Sequence, residues 1–396
     1  MTPTPFVSVL LLAAALPLTP PRPVDWVYSL ADATERAAAS DRPILVYCWA
    51  DGSDYCGKLW QETLSTDEAA GAMREFVCYS AKHGGDGVQD VFEKYGVRTL
   101  PTILFLTPDG QADDLIQGFI PVADFDAELR RIRRGEGTVR GLRRQIEQHE
   151  DGSTEDIEAR WALAGKVQAL GNDDRHDELM ESIRTIDSKG KTVVGARVRM
   201  RDVIREIVGG GDGDGDGQDG DGMQETDAQR AERIRKWDLE PLYAHVRLVK
   251  PAEARHEAWV QIGNMELKRE DDQAAFAAFH SAWKTCPDDK VVDWSNGVAR
   301  WIVENGDERT SKEKKFALQL AESALTKMQK KVADQKAEGG DDAEKLAKYE
   351  AYCWNTVAWC QHLNGQTEKA VKAAKKAIAL HEDDHYVADL ERFMKQ

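Results

Sequence analysis

Apolar residues recur at helical spacing from Trp26 to Ala38 in "DWVYSLADATERAAAS", which predicts an amphipathic helix. "DRP" at 41–43 breaks the pattern, and "ILVYCWA" after it is a continuous apolar run of the length of a buried strand. A helix is expected from about Ser53 to Thr63, with Asp54 near its positive N-terminal end. "REFVCYSA" predicts a second strand, "DVFEKYGV" a short helix, and "TLPTILFLTPDG" a third strand closed by a Pro-Asp-Gly turn. "DLIQGFI" predicts a fourth strand, and "VADFDAELRRIRR" a last amphipathic helix. The order βαβαββα predicts an α/β sandwich around one sheet, spanning about residues 23–135.

Helical periodicity then runs through 136–208 and resumes from 226 to the end. Within "EAWVQIGNMELKREDDQAAFAAFHSAWKTCPDD", Trp259, Ile262, Gly263, Ala275, Phe279, Ala282 and Pro287 stand at the spacings of a tetratricopeptide repeat. The small residues fall where neighbouring helices approach most closely, and Pro287 ends the second helix. Trp294 lies 35 residues after Trp259, with Ala317, Ala321 and Ala324 on its partner helix. Trp354, Ala370, Ala374 and Ala377 repeat the scheme after an interval of 60, which implies an inserted charged stretch. "HYVADLERFMKQ" is expected to cap the array. Such arrays resemble peptide-docking solenoids. Glu257, Val260, Asn264 and Leu267, on the first helix of the best repeat, are the expected docking residues.

A chain of 396 residues predicts about two or three domains. Its net charge of −17 argues against nucleic-acid binding, which requires neutralising phosphates. The local exception is the run Arg130, Arg131, Arg133, Arg134, Arg140, Arg143 and Arg144, read as a solvated helix and linker, the alternative being a contact for an acidic partner. The first 22 residues carry an apolar core, Phe6 to Leu18, of the length of a secretory signal. They predict an exported protein, periplasmic or secreted, or one held to a membrane by an uncleaved leader. Residues 209–222, "GGGDGDGDGQDGDG", have no side chain able to fill a core and are expected to be a linker. The alternative is a calcium-responsive hinge, which the pattern matches incompletely: the closing glutamate falls on Met223 when counted from Asp212, and Asp219 takes the glycine position when counted from Asp214.

Six cysteines, at 48, 56, 78, 286, 353 and 360, include no C-x-x-C pair. "RPILVYCWADGSDYCGKLWQETL", "YGVRTLP" and "PDG" with Gly118 resemble the thioredoxin superfamily, in particular its exported thioredoxin_7-like branch. The resemblance covers about residues 24–134 and implies a cis Leu100–Pro101 bond facing the Ser53–Cys56 turn, with backbone groups beside it open to an extended peptide. It also implies three departures. Ser53 stands where the attacking cysteine belongs, Gly52 replaces a tryptophan, and Tyr47 occupies the place of a buried proton-shuttling acid. A hydroxyl cannot form the mixed disulfide that a thiolate forms. Cys56 corresponds to the resolving cysteine, and Cys48 is expected to point to the opposite sheet face from Tyr47.

"HEDDH" at 381–385 matches a zinc-protease pattern by spacing, but it falls at a predicted turn with no third histidine. No phosphate-binding loop is present, and no cofactor or metal is expected. The expected function is an exported adaptor that binds a protein or peptide partner. The alternative is a monothiol thiol-disulfide oxidoreductase or isomerase acting through Cys56.

Overall fold

The computed structural model describes residues 24–85, 89–209, 226–306, 309–338 and 343–395. The leader and nearly all of the Gly/Asp stretch, with its calcium-loop positions, lie outside the described residues. The chain divides into two compact units, one ending at Ile186 and the other beginning at Asp187. The first is an α/β thioredoxin-like sandwich continued by helices, and the second is all-helical.

Five strands form the sheet of the first unit: β1 (Trp26–Val27), β2 (Ile44–Trp49), β3 (Val77–Lys82), β4 (Thr102–Leu106) and β5 (Ala112–Gln117). Their order is β1-β3-β2-β4-β5. β1, β3 and β2 are parallel, whereas β4 and β5 add antiparallel. The expected helix from Trp26 is therefore corrected. Trp26 and Val27 pair with Cys78 and Tyr79, and α1 (Leu30–Ser40) starts only after Ser29, whose side chain accepts the Asp32 amide. The next helix is also shorter than expected. α2 (Asp54–Leu59) gives way to a π-helical turn, Trp60–Leu64, and a separate α3 (Asp67–Met73) begins at the Thr66 cap. α4 (Gln89–Lys94) precedes β4, and α5 (Val122–Arg134) follows β5.

One sheet face carries Leu45, Tyr47, Cys78, Ile103 and Phe105, covered by Leu59, Leu64 and Met73 from the α2–α3 layer and by Phe125, Leu129 and Ile132 of α5. Three helices continue the unit: α6 (Val139–Gln148), α7 (Thr154–Ala169) and α8 (Asp173–Ile186). They are fixed to β5 by two fully buried carboxylates. Asp113 accepts from the Arg140 amide and Nε, each at 2.9 Å. Asp114 accepts from Arg131 at 2.8 Å and also holds Lys166. Much of the arginine run is thus paired internally, since Arg130, Arg133 and Arg134 meet Asp126, Glu75 and Glu136. Gly96 and Gly171, both at positive φ, touch backbone to backbone; a Cβ on Gly96 would lie 2.7 Å from the Gly171 Cα.

The second unit begins with α9 (Val193–Val208). After the Gly/Asp stretch come α10 (Asp227–Arg235), α11 (Glu240–Leu248), α12 (Ala252–Lys268) and α13 (Asp272–Trp283). Met200 of α9, Leu242 and Val246 of α11, and Ala258 and Ile262 of α12 share one core cluster. The helices on either side of the Gly/Asp stretch therefore belong to the same unit. α12 packs on α13, α14 (Val291–Glu304) on α15 (Ser311–Glu338), and α16 (Ala343–Leu363) on α17 (Thr367–Leu380). At the first of these contacts, a Cβ on Gly263 would come within 2.4 Å of the Phe279 ring. The charged insertion lengthens α15 and α16 around residues 339–342. α18 (Asp384–Met394) closes the array, with Asp389 accepting from Asn355 at 3.0 Å and Trp359 at 2.8 Å, and with Phe393 fully buried.

Candidate functional site

The first candidate site lies where β2 ends and β4 begins. Cys48 pairs with Thr102 across the antiparallel ladder, which brings the 50–53 turn after β2 and Pro101 before β4 to the same edge of the sheet. The Leu100–Pro101 peptide is cis. Gly52 enters the turn at φ +74, a conformation that a side-chain-bearing residue adopts only with strain. Ser53 follows with extended backbone and caps α2, its Oγ accepting the Cys56 amide at 3.3 Å. The serine thus does local structural work at the helix end, and Cys56 is buried one turn inside.

Tyr47 underlies that helix. Its Oη donates to the Cys56 carbonyl oxygen at 2.8 Å, and burial pushes the phenol's pKa upward, so it remains a neutral donor. Sequence reasoning missed the aromatic wall around it. Tyr47 stacks on Trp49 at 6.3 Å and on Trp60 at 5.9 Å, and Trp26 closes against Trp60 at 5.6 Å. Lys82 lies over Trp49 and pairs with Asp51 of the turn at 2.6 Å. Tyr55, 66% exposed, and Trp60, 39% exposed, leave apolar surface beside the turn. The signal was available only as tryptophans flanking two apolar runs.

All six cysteines are free. Cys48 lies outside the core cluster that contains Tyr47, and burial pushes its thiol up to about 12. Cys78 shares the Tyr47 face, with its Sγ 3.7 Å from the Met73 carbonyl, and burial likewise raises it to about 12. Both are held as thiols at neutral pH. Replacing Tyr47 with phenylalanine is expected to cost about 1 kcal/mol in urea denaturation, because the Cys56 carbonyl keeps the Trp60 amide as a second partner.

The second candidate site is in the helical unit. His256, Glu257, Val260 and Gln261 of α12 line an open cleft of about 430 Å³ with Asp289, Lys290, Asp293 and Trp294 at the start of α14. Two of the four expected docking residues, Glu257 and Val260, are in this wall. Asn264 is exposed further along α12, and Leu267 packs against the core of the following hairpins. Glu257 bridges Arg197 at 2.6 Å and Lys290 at 2.7 Å. Although its burial opposes ionisation, those two cations hold its carboxyl below the usual range. The "HEDDH" histidines do not share a helix face: His381 caps the end of α17 and His385 sits in the first turn of α18. Among the described residues no cluster of histidine, cysteine and carboxylates could hold a metal, and no helix is long and apolar enough to cross a membrane.

A family model described as a thioredoxin-like domain matches residues 30–133, about a quarter of the chain. Among solved structures, a thioredoxin from Thermus thermophilus is similar at 26% identity, covering 29% of this chain and 90% of its own, with a TM-score of 0.27. A structure titled DsbH oxidoreductase is 16% identical, covering 33% of this chain and 94% of its own, also with a TM-score of 0.27. No curated protein matches the chain. The first unit thus contains a thioredoxin-like domain, built on the five-stranded mixed sheet that ends at the Ser53–Cys56 turn.

Proposed function

We propose that the protein is an exported adaptor, in which a thioredoxin-like domain without a working dithiol is joined to a tetratricopeptide-like array that docks a protein or peptide. The observation that carries this reading is the Ser53 hydroxyl. It occupies the helix cap, bonded to the Cys56 amide, at the position from which the fold's attacking thiolate would act. Cys56 behind it is buried and unpaired. What remains useful in this domain is recognition: the backbone of the cis-proline loop at Leu100 and Pro101, and the exposed Tyr55 and Trp60 that follow the Ser53 turn. The array reading is supported by the helix pairs and by Gly263, Ala275 and Ala282 at their closest approaches. Export rests on the apolar leader.

The separating experiment is insulin reduction by the full chain with dithiothreitol. No acceleration is expected over the Cys56→Ala variant, and iodoacetamide should label Cys56 only slowly in the native state. A captured partner should stay bound in excess reductant and to Cys56→Ala. Turnover that disappears in Cys56→Ala would replace the adaptor with the monothiol enzyme.

A further inference from the structure

The cleft between α12 and the start of α14 has an unusual balance of hydrogen-bonding groups. Its lining holds three carboxylates, Glu257, Asp289 and Asp293, against one ammonium, Lys290. That ammonium is already committed, bonded to Glu253 at 3.3 Å and Glu257 at 2.7 Å. Glu257 in turn is saturated by Lys290 and Arg197. Asp289 and Asp293, both exposed, have no hydrogen bond or ion pair among the described residues. Two carboxylates therefore face the cleft without a counter-ion.

His256 adds an independent acceptor. It is only 2% exposed, and its Nδ1 lies 3.0 Å from the Ala282 carbonyl, an acceptor that requires the proton on that nitrogen. Burial lowers its pKa, so the ring is neutral and Nε2 carries a lone pair. Nε2 has no protein partner among the described residues, and the ring is part of the cleft wall. The ring also stands edge-on to Trp294 of the lining at 4.9 Å, and Trp294 stacks on Trp283 at 6.5 Å. Free acceptors thus come from both walls, and the lining adds the Trp294 indole and no free cation.

Resting on the docking reading of the array, we propose that this cleft receives the guanidinium of an arginine side chain from a partner peptide. A guanidinium is planar, has five N–H donors pointing in several directions and lies favourably against an indole. An ammonium would satisfy fewer of these dispersed acceptors, and an anion would meet two unpaired carboxylates.

The test is a ligand-detected NMR titration of the full chain with the pentapeptide acetyl-Ala-Ala-Arg-Ala-Ala-amide, repeated with citrulline, lysine, aspartate and phenylalanine at the centre. The arginine peptide is expected to bind about 10-fold more tightly than its citrulline counterpart. The double substitution Asp289→Asn with Asp293→Asn should remove that preference. Asp288→Asn, which deletes a neighbouring exposed carboxylate paired with Lys327, should change affinity by less than about 2-fold. Equal binding of the citrulline peptide, or arginine binding unaffected by the double substitution, would overturn the proposal. Gln261→Arg, at an exposed lining position, fills the cleft with a cation and should block any ligand there. If another peptide binds and Gln261→Arg abolishes it, docking stands and the arginine chemistry falls. If no peptide binds, both fall.

Discussion

Ser53→Cys is expected to give the chain a dithiol redox activity, which on the proposed reading Ser53 withholds from the wild type. The substitution puts a thiol at the helix cap, three residues before Cys56, where the helix dipole and the capped amide favour a thiolate. The scaffold around it is already in place: the cis Leu100–Pro101 peptide, the turn after β2, and Tyr47 holding the Cys56 carbonyl. Insulin reduction should rise on the order of 100-fold over wild type, and air oxidation should remove two of the titratable thiols. Loss of the serine cap should cost about 1 kcal/mol, so the variant should remain folded. An inert Ser53→Cys protein would mean that the other two departures, Gly52 and Tyr47, disable the site independently of the serine.

The largest stability effect is expected from Gly141→Ala. A Cβ at Gly141 would sit 1.6 Å from the carbonyl oxygen of Gly135, the left-handed C-cap of α5. Backbone cannot yield as a flexible side chain does, so α6 must move, and with it Arg140, whose amide and Nε satisfy buried Asp113. The expected loss is about 3 kcal/mol, combining steric displacement with a weakened buried ion pair. For a unit of this size it should appear as a fall in Tm of about 6–12 °C. Gly165→Ala is the matched control. That glycine is exposed within α7, a Cβ there meets nothing within 4 Å, and alanine favours the helix, so stability should hold or rise by up to about 1 kcal/mol.

The contrast between these two glycines shows what the sequence can and cannot disclose. The apolar runs of β2, β3 and β4 were legible because a strand buried on both faces must be apolar throughout. The first helix pair was legible because Gly263 and its alanines keep a fixed spacing. β1 was not, because two residues carry no period, and Trp26 and Val27 fit equally well at the start of a helical pattern. The π-helical turn at Trp60 was likewise hidden, since its apolar pattern continues that of α2. At the site, Ser53 and Cys56 could be found from a motif. The aromatic wall could not, because Trp26, Tyr47, Trp49 and Trp60 converge only through the β1-β3-β2 order. The cleft acceptors share the same reason. Burial keeps the His256 ring neutral, and the Ala282 carbonyl, on another helix, accepts from its Nδ1 and so leaves Nε2 as the free acceptor.

The Gly/Asp stretch interrupts a unit in which α9, before it, and α11, beyond α10, are already joined by Met200, Leu242 and Val246. The chain before and after the stretch is gathered into one core by side chains outside it, so the length of the stretch is almost thermodynamically neutral. Closing a segment twice as long would cost only about 0.6 kcal/mol more. Relatives with the same helical core could therefore differ widely here in residue number without losing the fold, and a sequence alignment forced across this point would mistake a tolerated insertion for a domain border.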